Sequence, residues 1–127
     1  MGDKIISMPS AKETKYDLDE RTFKFAEAVV DFIGALPKTV ANVEISKQLI
    51  RSAGSIGANY IEANESLGEK DFGMHLKICR KEAKETGYWL RLLKCGGNDG
   101  LGIKRDLLKQ EALELTKIFS AIINKNV

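Results

Sequence analysis

The sequence predicts an all-α protein, an antiparallel up-down-up-down four-helix bundle, and three observations carry that prediction. Apolar residues recur at helical spacing through most of the chain, proline is scarce, and glycine-rich punctuation falls where bundle helices need connections. Of 127 residues only Pro9 and Pro37 are proline, so nothing after Pro37 breaks a helix from within. The length suits one domain and not two. Hydrophobic residues make up 43% and charged residues 30%, a globular balance and not a disordered one. No apolar run reaches the roughly 18 residues that a membrane span takes, so no membrane association is expected.

Residues 1–16 are mixed polar and read as a flexible arm ahead of a bundle domain over 17–127. Met1 to Lys15 contains no apolar signal-peptide core. Asp17 and Asp19 are candidate N-caps for a first helix, Asp19 to Leu36. On it Phe23, Phe25, Ala26, Val29, Val30, Phe32, Ile33 and Leu36 fill about half the circumference, and Pro37 ends it. A second helix is expected over Ala41 to Ser66, with Asn42 as its cap. Its apolar arc holds Ile45, Leu49, Ile50, Ala53, Ile56, Tyr60, Ile61, Ala63 and Leu67. Gly54 and Gly57 each cost about 1 kcal/mol in a helix interior, and with Ser52, Ala53 and Ala58 they would let another helix approach closely.

Gly68 precedes a third helix, Glu69 to Cys95. Phe72, Leu76, Cys79, Ala83, Thr86, Leu90 and Leu93 form a heptad seam on it, the pattern of nearly antiparallel bundle packing. Gly96 to Gly102 reads as a breaker loop and lacks the Gly-Lys-Ser/Thr ending of a phosphate loop. A fourth helix, Ile103 to Asn124, turns Leu107, Leu108, Leu115, Ile118, Phe119, Ile122 and Ile123 to one side. The apolar arcs of the first and third helices, about 180° and 200°, exceed the roughly 100° of a surface helix. The excess points to self-association or a partner; large core side chains are the alternative.

Gln48, Arg51, Ser52, Ser55, Asn59 and Glu62 form a polar stripe bordering the second helix's apolar arc, and Glu85 falls among Ile78, Trp89 and Leu92 on the third. A buried carboxylate needs a partner, so Glu85 is expected to face the stripe, with Arg51, Ser55 or Asn59 opposite. A hydrogen-bond network that sets helix register is the favoured reading; the alternative is a hydrolytic carboxylate pair, Glu62 with Glu85. His75 is the only histidine, and no Ser-His-Asp or Cys-His set forms without it, so no catalytic residue is assigned. Cys79 and Cys95 are too far apart on one helix to bridge, and free thiols suit a reducing cytoplasm. His75 and Cys79 lack further ligands, so neither a metal nor a cofactor is expected.

The net charge of +2 conceals a division. The first helix sets Arg21 and Lys24 against Asp19, Glu20, Glu27 and Asp31; the third sets seven bases against Glu69, Asp71, Glu82 and Glu85. Lys77, Arg80, Lys81, Lys84 and Arg91 fall within about 100° of its circumference, with Tyr88 among them, an arrangement able to contact phosphates and stack on a base. A solvated lysine face is the alternative.

Two runs carry a family resemblance. Gln48-Leu49-Ile50-Arg51-Ser52-Ala53-Gly54-Ser55-Ile56-Gly57-Ala58-Asn59-Tyr60-Ile61-Glu62-Ala63 resembles the signature of four-helix bundle proteins related to the 23S rRNA intervening-sequence protein. Lys81-Glu82-Ala83-Lys84-Glu85-Thr86-Gly87-Tyr88-Trp89-Leu90-Arg91-Leu92-Leu93 matches that family's second conserved segment. Departures are Tyr60 for Ile, Ala63 for Gly, and Gly87 where Arg is common, which removes a cation near the basic face. The resemblance, from Leu18 to Ile123, implies a homopentamer without enzymatic activity. A related branch, the accessory protein of diversity-generating retroelements, implies binding to nucleic acid and to a reverse transcriptase. The expected function is therefore an oligomeric, non-enzymatic module binding RNA or DNA through the third helix; the alternative is a protein-interaction module without a nucleic-acid partner.

Overall fold

Long uninterrupted stretches of helix-forming residues become four helices in the computed structural model, which describes residues 11–125, with side chains from residue 18. They are α1 (Ala11–Ala35), α2 (Val40–Asn64), α3 (Glu69–Leu92) and α4 (Asp99–Lys125). Each packs on its neighbours in sequence, and α1 also meets α4, which closes the ring. The cross-helix contacts run in opposite numerical directions on α2–α3 and α3–α4. Ser52 meets Thr86 while Ile56 meets Cys79, and Arg80 meets Ser120 while Gly87 meets Ala112. These neighbours are therefore antiparallel, as the short connections require.

The core follows the helical spacing. On α3, Leu76, Cys79, Ala83, Thr86, Leu90 and Leu93 are buried and Phe72 packs against them, so the heptad seam faces inward along its whole length. Phe25, Val29, Phe32 and Leu36 enter from α1, Leu49, Ala53, Ile56 and Tyr60 from α2, and Leu108, Leu115, Phe119 and Ile123 from α4. Tyr60 and Phe119 meet ring to ring across the bundle, centroids 6.0 Å apart. The outer residues of the expected arcs do not join this core. Phe23, Val30, Ile50, Ile61, Leu67 and Leu107 are all exposed, because the bundle interior admits a narrower stripe than the apolar pattern supplies.

Several boundaries differ from expectation for local reasons. Helical backbone begins at Ala11, so Asp17 and Asp19 lie inside α1 and not at its N-terminus. Ala11 to Lys15 has no glycine or proline to stop the helix, and apolar periodicity registers only where a core face is needed. Of the arm expected over residues 1–16, residues 1–10 lie outside the described residues and 11–16 are helical backbone of α1. Thr39, not Asn42, caps α2, its hydroxyl accepting from the Asn42 amide at 3.1 Å. At the far end α4 starts at Asp99, four residues earlier than expected. Asn98 Oδ1 accepts from the Leu101 amide at 3.0 Å, and Asp99 suits the first turn, which together offset Gly100 and Gly102.

Displaced from capping, the Asn42 side chain ties two loops together. Its amide nitrogen donates to Pro37 O at 3.0 Å and to Lys94 O at 2.8 Å, and its Oδ1 accepts from Lys94 N at 3.1 Å. Arg105 of α4 donates to Leu93 O at 3.1 Å, covering another carbonyl at the end of α3. Gly96, at φ +68°, completes the junction, since a Cβ there would stand 2.9 Å from Pro37 Cγ. At mid-bundle Gly57 serves the close approach its sequence position suggests, a Cβ there falling 3.0 Å from Thr22 Oγ1 of α1; Gly54 faces open space. Asn42→Ala should lower unfolding free energy by about 2–3 kcal/mol, because it strands buried backbone groups of both loops. A shift of the urea midpoint without a change in slope would register that loss.

Candidate nucleic-acid interface

The two flanks of α3 differ in charge, and the helical periodicity alone arranges this. The flank turned toward α2 carries Glu82 and Glu85; the flank toward α4 and solvent carries Lys77, Arg80, Lys84 and Arg91, with Lys81 and Tyr88 beside them. Glu82 and Glu85 are drawn into the α2–α3 junction, while Glu69 and Asp71 in the first turn are exposed. Arg51 of α2 reaches across to Glu85 by a short charge-assisted hydrogen bond, and its Nη1 lies 3.5 Å from Glu82 Oε1. Trp89 Nε1 donates to the same Glu85 carboxylate at 3.4 Å.

Glu85 thus meets Arg51, as the pattern suggests, but Glu82 is the deeper carboxylate. It is 6% exposed against 34% for the Glu85 side chain, and its Oε1 has ion-pair proximity to Arg51 without a hydrogen bond. Its position next to Ala83 on the core seam is the signal that identifies it. The rest of the α2 stripe divides. Ser52 is fully buried, its Oγ hydrogen-bonded with Thr86 Oγ1 at 2.9 Å. Asn59 turns back on its own helix, donating to Ser55 O at 2.9 Å and Oγ at 3.0 Å. Glu62 is exposed, and its carboxylate takes no hydrogen bond or ion pair among the described residues. Glu62 and Glu85 therefore share no contact that would join them as a pair.

With Glu82 and Glu85 committed to α2, the opposite flank is left cationic. Lys77, Lys81, Lys84 and Arg91 are exposed and form no ion pair among the described residues; Arg80 is half-buried and donates to Ser120 Oγ at 3.4 Å. Tyr88 stands half-exposed in the same stripe, its ring packed edge-on against Trp89 with centroids 5.1 Å apart. Such a face attracts a polyanion, since each phosphate it contacts releases a condensed counterion.

The remaining titratable groups are packed, not grouped. His75 is half-buried, its Nε2 3.7 Å from Asp71 Oδ1 and its Nδ1 buried without a partner. Both cysteines are free; Cys79 is buried and donates to Ile56 O at 3.4 Å. No group of His, Cys, Asp and Glu among the described residues is arranged to hold a metal ion. No described helix is long and apolar enough to cross a membrane.

Comparison with known proteins places this geometry among relatives. Residues 14–98 match the 23S rRNA-intervening sequence protein family. The crystal structure of a protein of unknown function from the S23 ribosomal protein family of Bacteroides thetaiotaomicron is similar, at 31% identity and a TM-score of 0.72. The match covers 84% of this chain and 97% of that one. No curated protein matches the chain.

Arg51→Met should cost about 2 kcal/mol at neutral pH, because it leaves the Glu82 carboxylate inside the junction without its cation, whereas Glu62→Gln should leave stability unchanged. Thermal unfolding of the two variants distinguishes these outcomes. Burial pushes the Cys79 thiol up to about 12 from 9.0, and Tyr60 is likewise raised to about 12 from 10.0. Near and above the unfolded value the unfolded chain loses a proton that the folded chain keeps, so stability falls as pH rises from about 8 to about 12. Cys79→Ala should flatten that decline most clearly between about pH 8 and 9, where Tyr60 is still largely protonated in the unfolded chain, as read from urea midpoints at stepped pH.

Proposed function

The chain belongs to the 23S rRNA-intervening sequence protein family, and from that premise we propose that it is a non-enzymatic, oligomeric module that binds RNA or DNA through the outer face of α3. One observation carries this reading: Lys77, Lys81, Lys84 and Arg91 stand exposed on one face without an acidic partner among the described residues, while Glu82 and Glu85 of the same helix are paired with Arg51 of α2. A cationic stripe with no internal neutralisation keeps its full attraction for phosphate. Arg80 and Tyr88 complete the stripe.

Assembly multiplies it. The exposed residues Phe23, Val30, Val43, Ile50 and Ile61 lie along α1 and α2, and an apolar groove lined by Ile33, Leu36, Val43 and Ile50 runs between those helices. This surface supports self-association, a pentamer by the family resemblance, in which each copy repeats the cationic face around a ring. It equally supports the second reading, a protein-interaction module whose partner is a reverse transcriptase or another protein. The free thiols suit work in a reducing cytoplasm.

Charge reversal separates the readings. In Lys77→Glu/Lys81→Glu/Lys84→Glu, binding to structured RNA should be lost with the bundle intact, and the slope of log affinity against log salt should shrink in magnitude by about 2–3. Unchanged affinity in this variant would remove α3 as the interface. A complex with a protein partner that survives high salt, without any nucleic-acid binding, would favour the second reading.

A further inference from the structure

The stripe on α3 contains one feature that electrostatics does not require. Tyr88 presents an aromatic ring that is 52% exposed in the middle of a row of cations, while Thr86 and Leu90 on either side of it fill the core. The ring is not loose. It abuts the Trp89 indole edge-on at an interplanar angle of 72°. That indole is anchored through Nε1 to Glu85, and Glu85 is in turn held by Arg51 of α2. Thus the ring is backed by a chain of contacts running into the α2–α3 junction.

Cations bracket it at close range. Lys84 lies four residues before Tyr88 and Arg91 three residues after, each about one turn away, roughly 5–6 Å along the axis. Lys81 precedes it by two turns on the same side of the helix. Tyr88 is 52% exposed, so the approach to the ring between the cations is open.

We infer that this face takes single-stranded in preference to duplex nucleic acid, with an unpaired base stacked on Tyr88 and the flanking phosphates met by Lys84 and Arg91. The inference rests on the nucleic-acid reading of the face and narrows it. A duplex offers the cations its phosphates but keeps its base faces stacked on one another, so Tyr88 contributes nothing to binding it. A single strand offers both, and every base carries a face that an aromatic side chain accepts, without a sequence requirement. Trp89 is a positioning residue here, holding the ring without touching the strand.

The test uses the full chain with three probes matched in phosphate number: oligouridine, oligodeoxythymidine, and a fully paired RNA duplex. At one fixed salt concentration, wild type should bind at least one single strand more tightly than the duplex. Tyr88→Ala should weaken single-strand binding by roughly 5- to 100-fold and leave duplex binding unchanged, while Tyr88→Phe keeps the wild-type preference. Trp89 is the only tryptophan, so its emission should change when either single strand binds and stay constant with the duplex. Equal affinity for all three probes, or equal loss on all three in Tyr88→Ala, overturns the inference while the cationic face stands. If the Lys77/Lys81/Lys84 charge-reversal variant also binds every probe as wild type does, or if wild type binds none, the nucleic-acid reading itself falls.

Discussion

The close approach of α2 and α3 is the constraint on which the rest of the molecule depends. The facing positions are small: Ser52 and Ala53 on one helix, Cys79, Ala83 and Thr86 on the other, all of them buried. Helices that approach this closely leave no water between them, so every polar group in the junction has to find its partner there. The Thr86 hydroxyl meets this by bonding at once to Ser52 and to Glu82 O, and the Cys79 thiol by donating to Ile56 O. The same exclusion of water pushes the Cys79 thiol pKa up to about 12. Antiparallel register is thereby set by hydrogen bonds that a sliding of one helix past the other would break.

Charge segregation on α3 follows from that junction. Glu82 borders the small-residue seam, and a carboxylate in that position is tolerated only with a cation across from it. Arg51 supplies the cation and spans Glu82 and Glu85 together. With these two acids committed to α2, the bases of α3 stand exposed on the opposite flank. The cationic face of α3 is therefore a consequence of how its inner flank is neutralised. Through Trp89, which shares the Glu85 carboxylate, the junction also holds the ring of Tyr88.

The end of the bundle shows how a local motif can serve a distant purpose. Thr39 and Asn42 have the spacing of a helix start, and the Thr39 hydroxyl performs the capping. Relieved of that task, Asn42 bridges the α1–α2 connection and Lys94 in the α3–α4 connection, a partnership spanning 52 positions of sequence. No spacing rule reaches that far. Arg105 is a similar case, reading as one more surface base on α4 although its guanidinium covers Leu93 O.

Helix number, the seam of α3 and the clustering of Lys77, Arg80, Lys81, Lys84, Tyr88 and Arg91 were legible in the sequence, because each depends only on the 3.6-residue period and on where proline and glycine fall. The pairing of Glu85 with Arg51 was legible for a related reason, since an acid inside an apolar arc demands a nearby base. Tertiary structure alone decided which carboxylate lies deeper, that Glu62 stands apart from the network, and that Asn42 joins two loops. It also decided that Phe23, Val30, Ile50 and Leu107 remain outside the core. A helical wheel assigns a direction to each side chain, but burial depends on how near the neighbouring helix comes, and that distance is set by the small residues of a different segment of the chain.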